Sequence, residues 1–345
     1  MNKASNNVTL KDIAQRLGLS VPTISRALGG YEDIALETRN LVARTAREMN
    51  YRPNVHAKGL VTNAMSIQSI LILGVPNVLK SIAFNSYYAE IMRAFNDTLT
   101  TTLHRFILAV EDDSDGDYVD YHKLIRDHQA TAAVILDLKE QDDRVAELTE
   151  AQIPLVVLGE YTPRSAMQCA VWTDNVKGAY LATRHLIVRG RRRIVLVGGL
   201  RGQMVSASRL RGYRAALEEA GLPFDECLVV NPAEMDEHGG YSALLEIFHR
   251  GCPFDAVFCA SDLRSIGVIK VLREKGLSVP EDVSVVGYDD LPIASFFDPP
   301  LTTIRQPTYK VGAYAMRNLE KIIRGEEVQQ KSKVFLPELV IRASA

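Results

Sequence analysis

Five side chains near the start of the chain have the chemistry needed to read a DNA duplex. The guanidinium of Arg26 can fork onto the O6 and N7 atoms of guanine, and the apolar atoms of Val21 and Pro22 can touch a thymine methyl group. The hydroxyl groups of Thr23 and Ser25 suit phosphate oxygens. All five fall within six consecutive positions, so one helix end can present them to the major groove.

Three short helices are predicted to hold these side chains in place. The first covers 10–17 and has its apolar residues in one stripe. Ser20 caps a second helix, which carries the five residues above. A third helix from about Leu36 to Met49 closes a small core. Helix, tight turn and helix together predict an all-α helix-turn-helix headpiece over 1–50 that binds DNA.

The segment that follows the headpiece, 51–66, is predicted to be a hinge and linker. Pro53 keeps Arg52 extended and can start a short helix at Asn54. That helix contains a glycine and is only marginally stable by itself, because a short helix gains too few hydrogen bonds to offset the free-energy cost of nucleation. We expect its folding to depend on DNA.

Residues Thr9 to Leu60 resemble the DNA-binding headpiece and hinge of the LacI/GalR family of bacterial transcriptional regulators, and the similarity extends over nearly the whole chain. The family's recognition-helix pattern VSxxTVSR corresponds to Leu19–Arg26. Its hinge pattern YxPNxxAxxL is matched by Tyr51, Pro53, Asn54, Ala57 and Leu60.

The resemblance implies a role for individual residues. Val21 and Pro22 would select the operator, Arg26 would read a base edge, and Leu60 of each subunit would wedge into the minor groove and kink the duplex. The full set of DNA-binding residues that we predict is Thr9, Ser20, Val21, Pro22, Thr23, Ser25, Arg26, Asn54, Ala57, Lys58 and Leu60.

Two departures from the family pattern bear on this surface. The family usually has an asparagine just after the recognition helix, where this chain has Ala27-Leu28-Gly29-Gly30, so a phosphate contact is expected to be lost. Gly59 and Val61 make the hinge less helical and less basic than in many relatives.

Length and charge agree with several domains and a DNA-binding end. The chain has 345 residues, of which 47% are hydrophobic, more than the ~150 residues of one typical domain. Its net charge is −2, yet residues 1–60 carry nine Lys and Arg against five Asp and Glu. Positive charge is therefore concentrated in the headpiece.

The sequence predicts a cytoplasmic protein with reduced thiols. It has no export signal and no uninterrupted apolar run of about 18 residues. The cysteines, Cys169, Cys227, Cys252 and Cys259, show no CxxC spacing, and three lie in or beside apolar runs. We expect all four to be buried and reduced.

From Ser69 onward, apolar strand-like runs alternate with helical stretches, which predicts a parallel α/β core. The resemblance implies a periplasmic-binding-protein-like core over 67–345, built from two doubly wound parallel-sheet lobes. Lobe one would hold about 67–171 plus 301–330, and lobe two about 172–300 plus 331–345. A small-molecule effector would bind between the lobes, at the carboxyl ends of the strands.

Two polar residues that follow predicted strands are the strongest effector-binding candidates. Arg209 and Asp289 match the family's effector-contacting arginine and aspartate, and such a pair suits a sugar, although each could instead have only a structural role. Sugar-binding relatives often carry Asp or Asn at the positions of Gly159 and Ser261, so phosphorylated sugars and nucleobases remain alternatives. The weaker candidates are Asn85, Tyr88, Asp174 and Ser261.

Several other motifs only partly match the functional patterns that they resemble. EDDSDGD imitates the start of a calcium loop, but its twelfth position is His122 instead of glutamate. Gly198–Gly202 fits no phosphate-binding pattern and is interpreted as a cleft loop. The basic run 189–193 is interpreted as a turn. No catalytic triad pattern or metal-ligand spacing is recognisable, so we expect no catalysis, no metal and no cofactor.

The sequence therefore favours a ligand-regulated transcriptional repressor of carbohydrate genes over a binding protein without gene regulation or an enzyme on an α/β scaffold. A pseudo-palindromic operator needs two headpieces, so a homodimer is expected. Effector-driven release from DNA is the commoner behaviour in the family, and corepression by a phosphorylated sugar or nucleobase is the alternative. Membrane association is not expected.

Overall fold

The computed structural model describes residues 10–28, 34–49, 68–74, 86–99, 104–110, 121–136, 138–140 and 142–345. The chain divides into two compact units, residues 1–66 and 67–345. No helix among the described residues has the length and apolar character needed to cross a membrane.

The first unit contains the three helices that the sequence predicts. They are α1 (Leu10–Leu17), α2 (Val21–Leu28) and α3 (Leu36–Glu48). Gly18 has a φ of +65°, which suits glycine in the tight turn that ends α1. The buried apolar residues that hold the three helices together are Ile13, Ala14, Ile24, Ala27, Val42 and Ala46.

The second unit alternates strands and helices. The strands are β1 (Gln68–Gly74), β2 (His104–Val110), β3 (Ala132–Leu136), β4 (Leu155–Leu158), β5 (Gln168–Thr173), β6 (Ile194–Val197), β7 (Val229–Val230), β8 (Ala256–Cys259), β9 (Ser284–Val286), β10 (Thr303–Arg305), β11 (Ser332–Phe335) and β12 (Glu338–Val340). The helices are α4 (Ser86–Thr98), α5 (Tyr121–His128), α6 (Asp143–Glu150), α7 (Asn175–Val188), α8 (Met204–Glu219), α9 (Glu237–Arg250), α10 (Asp262–Glu274) and α11 (Thr308–Ile323).

Two parallel sheets form the two lobes of this unit. The first has the strand order β11-β5-β4-β3-β1-β2, and the second has the order β7-β6-β8-β9. Ile70 and Ile72 of β1 belong to one buried apolar cluster, while Leu71 and Leu73 belong to another. Successive residues of a strand point to opposite faces, so the first sheet is buried on both sides. The predicted two-lobed, doubly wound fold is confirmed.

The chain passes between the lobes at three places. It leaves β5 of the first sheet for α7 of the second lobe, returns after β10 to α11, and leaves β11 for β12. The strands β10 and β12 pair with each other antiparallel.

These pairings correct the lobe boundaries expected near the end of the chain. Residues 301–305 were expected in lobe one, but Thr302 bridges to Val286 and Ile304 accepts a backbone hydrogen bond from Asp289 in lobe two. Residues 332–335 were expected in lobe two, but they extend the first sheet beside β5. Pairing partners so distant in sequence leave no local signal.

The expectation of four reduced cysteines is corrected for two of them. Cys227 and Cys252 form a disulfide, with their Cα atoms 6.3 Å apart. Cys169 and Cys259 are free and buried. Burial raises the pKa of both thiols to about 12, so they stay protonated and unreactive near neutral pH.

Candidate functional site

The exposed surface of α2 presents part of the predicted DNA-binding set. Pro22, Ser25 and Arg26 are exposed. Val21 is half-buried and packs against the core of the headpiece, so only part of its side chain can meet a base. The helix keeps these residues on its outer side because Ile24 and Ala27 point into the core.

Ser20 and Thr23 contact each other at the start of α2. The Ser20 hydroxyl accepts a hydrogen bond from the Thr23 backbone N–H at 3.2 Å, which is the N-cap that the sequence predicts. The two hydroxyl oxygens are 2.7 Å apart, and either can donate. Ser20 thus has a structural role in addition to the predicted contact with DNA. Some predicted residues lie outside the described part of the chain, namely Thr9, Asn54, Ala57, Lys58, Leu60 and Asn85.

A cleft with a volume of about 1050 Å³, its open mouth included, lies between the two lobes of the second unit. Residues that follow the carboxyl ends of the strands line it, which is where parallel α/β sheets bind ligands. Four such residues are Gly159, Gly199, Ala260 and Asp289, and Thr173 is the last residue of β5. Gly199 belongs to the loop that the sequence interprets as a cleft loop.

Arg209 lies in the cleft and is held on three sides. Its guanidinium stacks over the Tyr288 ring at 3.7 Å, Nε donates to Oδ1 of Asn175 at 3.0 Å, and Nη1 donates to the Ala260 carbonyl. Its Nη2 lies 4.0 Å from Oδ1 of Asp289. These contacts fix the guanidinium before any ligand binds.

Close packing of α8 on α7 makes the Arg209 contacts possible. A Cβ atom added to Gly212 would lie 2.1 Å from the Val176 carbonyl oxygen and 2.9 Å from the Ala179 Cβ. Glycine at this position lets the two helices approach. The approach brings Arg209 of α8 within hydrogen-bond distance of Asn175 at the start of α7.

Asp289 occupies a strained turn beside Arg209. Its φ is 112° and that of Asp290 is 53°, and both values are uncommon for residues with a side chain. Gln306 Nε2 donates to Oδ1 of Asp289 at 2.7 Å. Both carboxylate oxygens of Asp290 accept from arginines, Arg305 at 2.7 Å and Arg342 at 2.6 Å. The surrounding structure therefore determines where the Asp289 carboxylate points.

Asp262, which is fully buried, supports the same turn from behind. Its Oδ2 accepts from the Leu291 backbone N–H at 2.7 Å, and its Oδ1 accepts from the Thr303 hydroxyl at 2.6 Å. Its own backbone N–H donates to the Tyr288 carbonyl at 2.8 Å. Burial, and then the negative charge of Asp289, raise the pKa of Asp262 well above its usual value.

Aromatic side chains form part of the first-lobe wall of the cleft. Tyr88, one of the weaker sequence candidates, lines the cleft with Tyr87 and Trp172. Tyr87 and Tyr88 meet edge to face, with ring centroids 5.3 Å apart. Flat apolar faces of this kind can pack against the C–H face of a sugar ring or against a base.

The other two weaker candidates cap helices. The Ser261 hydroxyl accepts from the Arg264 backbone N–H at 3.4 Å, and Ser261 also lines the cleft. Asp174 accepts from the Lys177 backbone N–H at 2.8 Å and is not among the residues that line the cleft. Its neighbour Asn175 is among them.

The two lobes contact each other beside the cleft. Lys139 and Gln203 form an antiparallel bridge, and the Glu140 backbone N–H donates to the Gly202 carbonyl at 2.9 Å. At the rim, one carboxylate oxygen of Glu160 accepts from Ser208 at 2.9 Å and from Arg211 at 3.0 Å. Met204 of the second lobe also packs against the apolar cluster of the first lobe that contains Leu138. The Glu160–Arg211 ion pair is exposed, so it can separate at low cost.

Two polar clusters outside the cleft have structural explanations. Asp236, Glu237 and His238 lie close enough together to hold a metal ion, but Asp236 caps α9 by accepting from the His238 and Gly239 backbone N–H groups. In the basic turn 189–193, Arg191 donates to Ser284 at 3.0 Å and to carbonyls of the 280–282 loop. Hydrogen bonds to the neighbouring segment 280–284 thus hold the predicted turn in place.

Sequence reasoning missed several residues that shape the cleft. Asn175 and Gln306 both follow short strands at the points where the chain changes lobe. A polar residue directly after a parallel strand is the signal that could have identified them. Asp262 follows β8 in the same way, but its burial comes from contacts with 288–303, and those contacts leave no trace in the local sequence.

Comparison with known proteins covers almost the entire chain. Residues 9–54 match the model for bacterial regulatory proteins of the lacI family, and 183–345 match a periplasmic binding protein-like domain. The HTH-type transcriptional regulator CelR of Thermobifida fusca is 33% identical over 97% of this chain and 98% of its own length. A solved complex of the transcriptional regulator CelR with cellobiose is 30% identical, with a TM-score of 0.73, and 98% of this chain and 100% of that chain are covered.

A second solved structure supports the fold. The lac repressor dimer bound to operator and the anti-inducer ONPF is 23% identical, with a TM-score of 0.75 over 98% of this chain and 99% of that chain.

The buried carboxyl group of Asp262 leads to a prediction about stability. Because its folded-state pKa is raised above 3.8, the folded protein holds a proton that the unfolded chain releases. The stability of the wild type relative to Asp262→Asn should therefore fall as the pH rises from about 4, by at most about 1.4 kcal/mol per pH unit. Urea unfolding of both proteins between pH 4 and pH 8 measures this difference.

Asp298→Asn is the matched control, because the Asp298 side chain is 96% exposed. This variant shows how much of the pH dependence comes from removing any surface carboxylate. A stability difference for Asp262→Asn that stays constant with pH would contradict the raised pKa.

Proposed function

This chain belongs to the LacI family of bacterial regulatory proteins, and from that premise we propose that it represses carbohydrate-utilisation genes in response to a sugar. As a member it is a DNA-binding transcriptional regulator, and its relatives are regulators and not enzymes. The repressor role and the sugar effector are the parts that go beyond family membership. The observation that carries the effector proposal is the Arg209–Asp289 pair, held in place in the interlobe cleft.

The proposed DNA contact uses the exposed end of α2. Arg26 and Pro22 would meet base edges in the major groove, and Ser25 would meet the phosphate backbone. Leu60 of the hinge would enter the minor groove at the operator centre, as the family pattern implies. The net positive charge of residues 1–60 supports this orientation, since it attracts the DNA backbone.

Replacing Arg26 tests base reading at a single position. If Arg26 makes a bidentate guanine contact, Arg26→Ala should weaken operator binding by about 1–3 kcal/mol and relax specificity at one base pair. Binding is measured on the operator and on a set of singly substituted operators at fixed salt. Arg16→Ala is the control, because Arg16 is an exposed arginine of α1, 3.7 Å from Glu48. An equal loss on every sequence with Arg26→Ala would contradict base reading.

The sugar proposal rests on the chemistry of the cleft. Asp289 can accept hydrogen bonds from sugar hydroxyl groups, Arg209 can donate them, and Tyr88 and Trp172 offer aromatic faces. Both charged groups are already oriented, so little conformational entropy would be lost on binding. The solved relative that is 30% identical contains cellobiose, which supports a carbohydrate for this chain as well.

The proposed mechanism couples the cleft to the hinge through the relation of the two lobes. A sugar that contacts both lobes would favour one arrangement of the Lys139–Gln203 bridge and the Glu160–Arg211 ion pair over another. In a dimer that arrangement would set the spacing of the two hinges and so the folding of the hinge helices on DNA. The coupling is reciprocal, so operator must change sugar affinity by the same factor.

Replacing Arg209 separates effector binding from DNA binding. Arg209→Ala should still bind operator, because Arg209 is not in the headpiece, but its operator affinity should no longer respond to cellobiose or related sugars. Operator affinity is measured with and without each sugar. Arg201→Ala, in the exposed loop beside the cleft, is the control and should keep the response. A normal response in Arg209→Ala would refute the role of Arg209.

We expect a homodimer, and exposed apolar residues support this. Ile293 and Phe296, in the short 3₁₀ helix Pro292–Phe296, are 45% and 84% exposed. Large apolar side chains grouped on a surface often mark an interface. Sedimentation at micromolar concentration should give a dimer, and Phe296→Asp should shift it toward monomer. A monomeric wild type would contradict the proposed mechanism.

A further inference from the structure

Arg264 is a buried cation on the wall of the cleft. It is only 3% exposed, and it lines the cleft beside Ser261 and Met235. Its Nη2 donates to the Glu234 carbonyl at 3.1 Å. Its Nε has no hydrogen-bond partner among the described residues, and no carboxylate in that part of the chain forms an ion pair with it.

A buried guanidinium without a counter-charge is costly, because burial removes the water that would otherwise stabilise the charge. Burial, followed by the positive charge of Arg209, lowers the pKa of Arg264 to about 10, and the carboxylates of Asp289 and Asp236 oppose this only in part. Arg264 therefore remains charged at neutral pH. An anion that entered the cleft would supply a counter-charge to this guanidinium.

The charges along the cleft supply that anion only in part. Among its lining residues the carboxylates are Glu160 and Asp289, and the guanidinium groups are Arg209 and Arg264. Glu160 is at the rim, where Arg211 pairs with it at 3.0 Å. Asp289 is near Arg209 and accepts from Gln306. The deep part of the cleft therefore carries two cations and one anion.

We infer that the cleft selects an anionic carbohydrate, whose carboxylate or phosphate group binds the Arg264 guanidinium while its hydroxyl groups meet Asp289. This inference rests on the proposed carbohydrate effector and specifies its class. A guanidinium presents donors in a planar fork that matches both carboxylate and phosphate oxygens. In this arrangement Arg264 determines specificity, because a neutral sugar leaves its charge unpaired.

The test compares each neutral sugar with an acidic derivative of it. Calorimetric titration of the full-length protein uses cellobiose against cellobionate, and glucose against glucuronate and glucose 6-phosphate, with inorganic phosphate as a further probe. At least one acidic sugar should bind roughly tenfold or more tightly than its neutral parent, because its charged group gains a hydrogen bond to the charged guanidinium. Added salt should reduce that preference.

Variants assign the preference to Arg264. Arg264→Met keeps an unbranched stem, removes the guanidinium with its charge and should abolish the preference. Arg201→Met removes the same charge from the exposed loop beside the cleft and should preserve it. Arg264→Lys keeps a charge without the planar fork and should give an intermediate preference. If Arg264→Met does not unfold cooperatively, and so is not properly folded, Arg264→Lys provides the test in its place.

The outcomes separate this inference from the proposed function. A neutral sugar that binds as tightly as its acid overturns the anionic class and leaves a carbohydrate effector standing. Phosphate binding that requires Arg264, without binding of any sugar, supports an anion site and overturns the carbohydrate. Wild-type protein that binds none of the probes overturns both, and a preference that survives in Arg264→Met overturns the role of Arg264.

Discussion

The structure of the second unit depends on one constraint: its chain crosses between the two sheets three times. Each passage follows a strand: β5 and β11 are parallel neighbours in the first sheet, and β10 lies beside the carboxyl end of β9, where Thr302 bridges to Val286. A cleft bounded by these crossings has polar backbone groups and loop side chains on both walls. Neither lobe can change its position without altering the residues next to the crossings.

The second of these crossings also positions the effector-binding candidate Asp289. The segment 302–306 joins the two lobes, and it also holds the Asp289 turn through Thr303, Ile304 and Gln306. Asp262 binds the same segment from the interior. A ligand that pulls on the Asp289 carboxylate therefore acts on a segment that leads directly into α11 of the first lobe. The turn keeps its strained backbone conformation only because these contacts hold it in place.

Much of the fold follows from local sequence. The capped, amphipathic helices of the headpiece and strands such as β3, β4, β6 and β8 lie where apolar pattern and turn residues predict them. The LacI/GalR resemblance, the regulatory function and the non-enzymatic character are confirmed by family membership.

What the sequence could not supply depends on distant contacts. The strands β10, β11 and β12 have only three or four residues, too few for a periodic pattern, and their partners are far away in the chain. For the same reason the lobe boundaries were wrong, and the Cys227–Cys252 pair and the burial of Asp262 and Arg264 were missed. Arg264 looks like an ordinary charged residue of an exposed helix until the fold buries it.

Selection of bound duplexes from a randomised DNA pool tests the regulator function most directly. The purified full-length protein is used at one near-physiological salt concentration, because phosphate contacts make affinity strongly salt-dependent. We expect enrichment of a pseudo-palindrome with a deformable central step, as two headpieces and two hinges require. Salt-sensitive binding without enrichment of any sequence would contradict specific operator recognition.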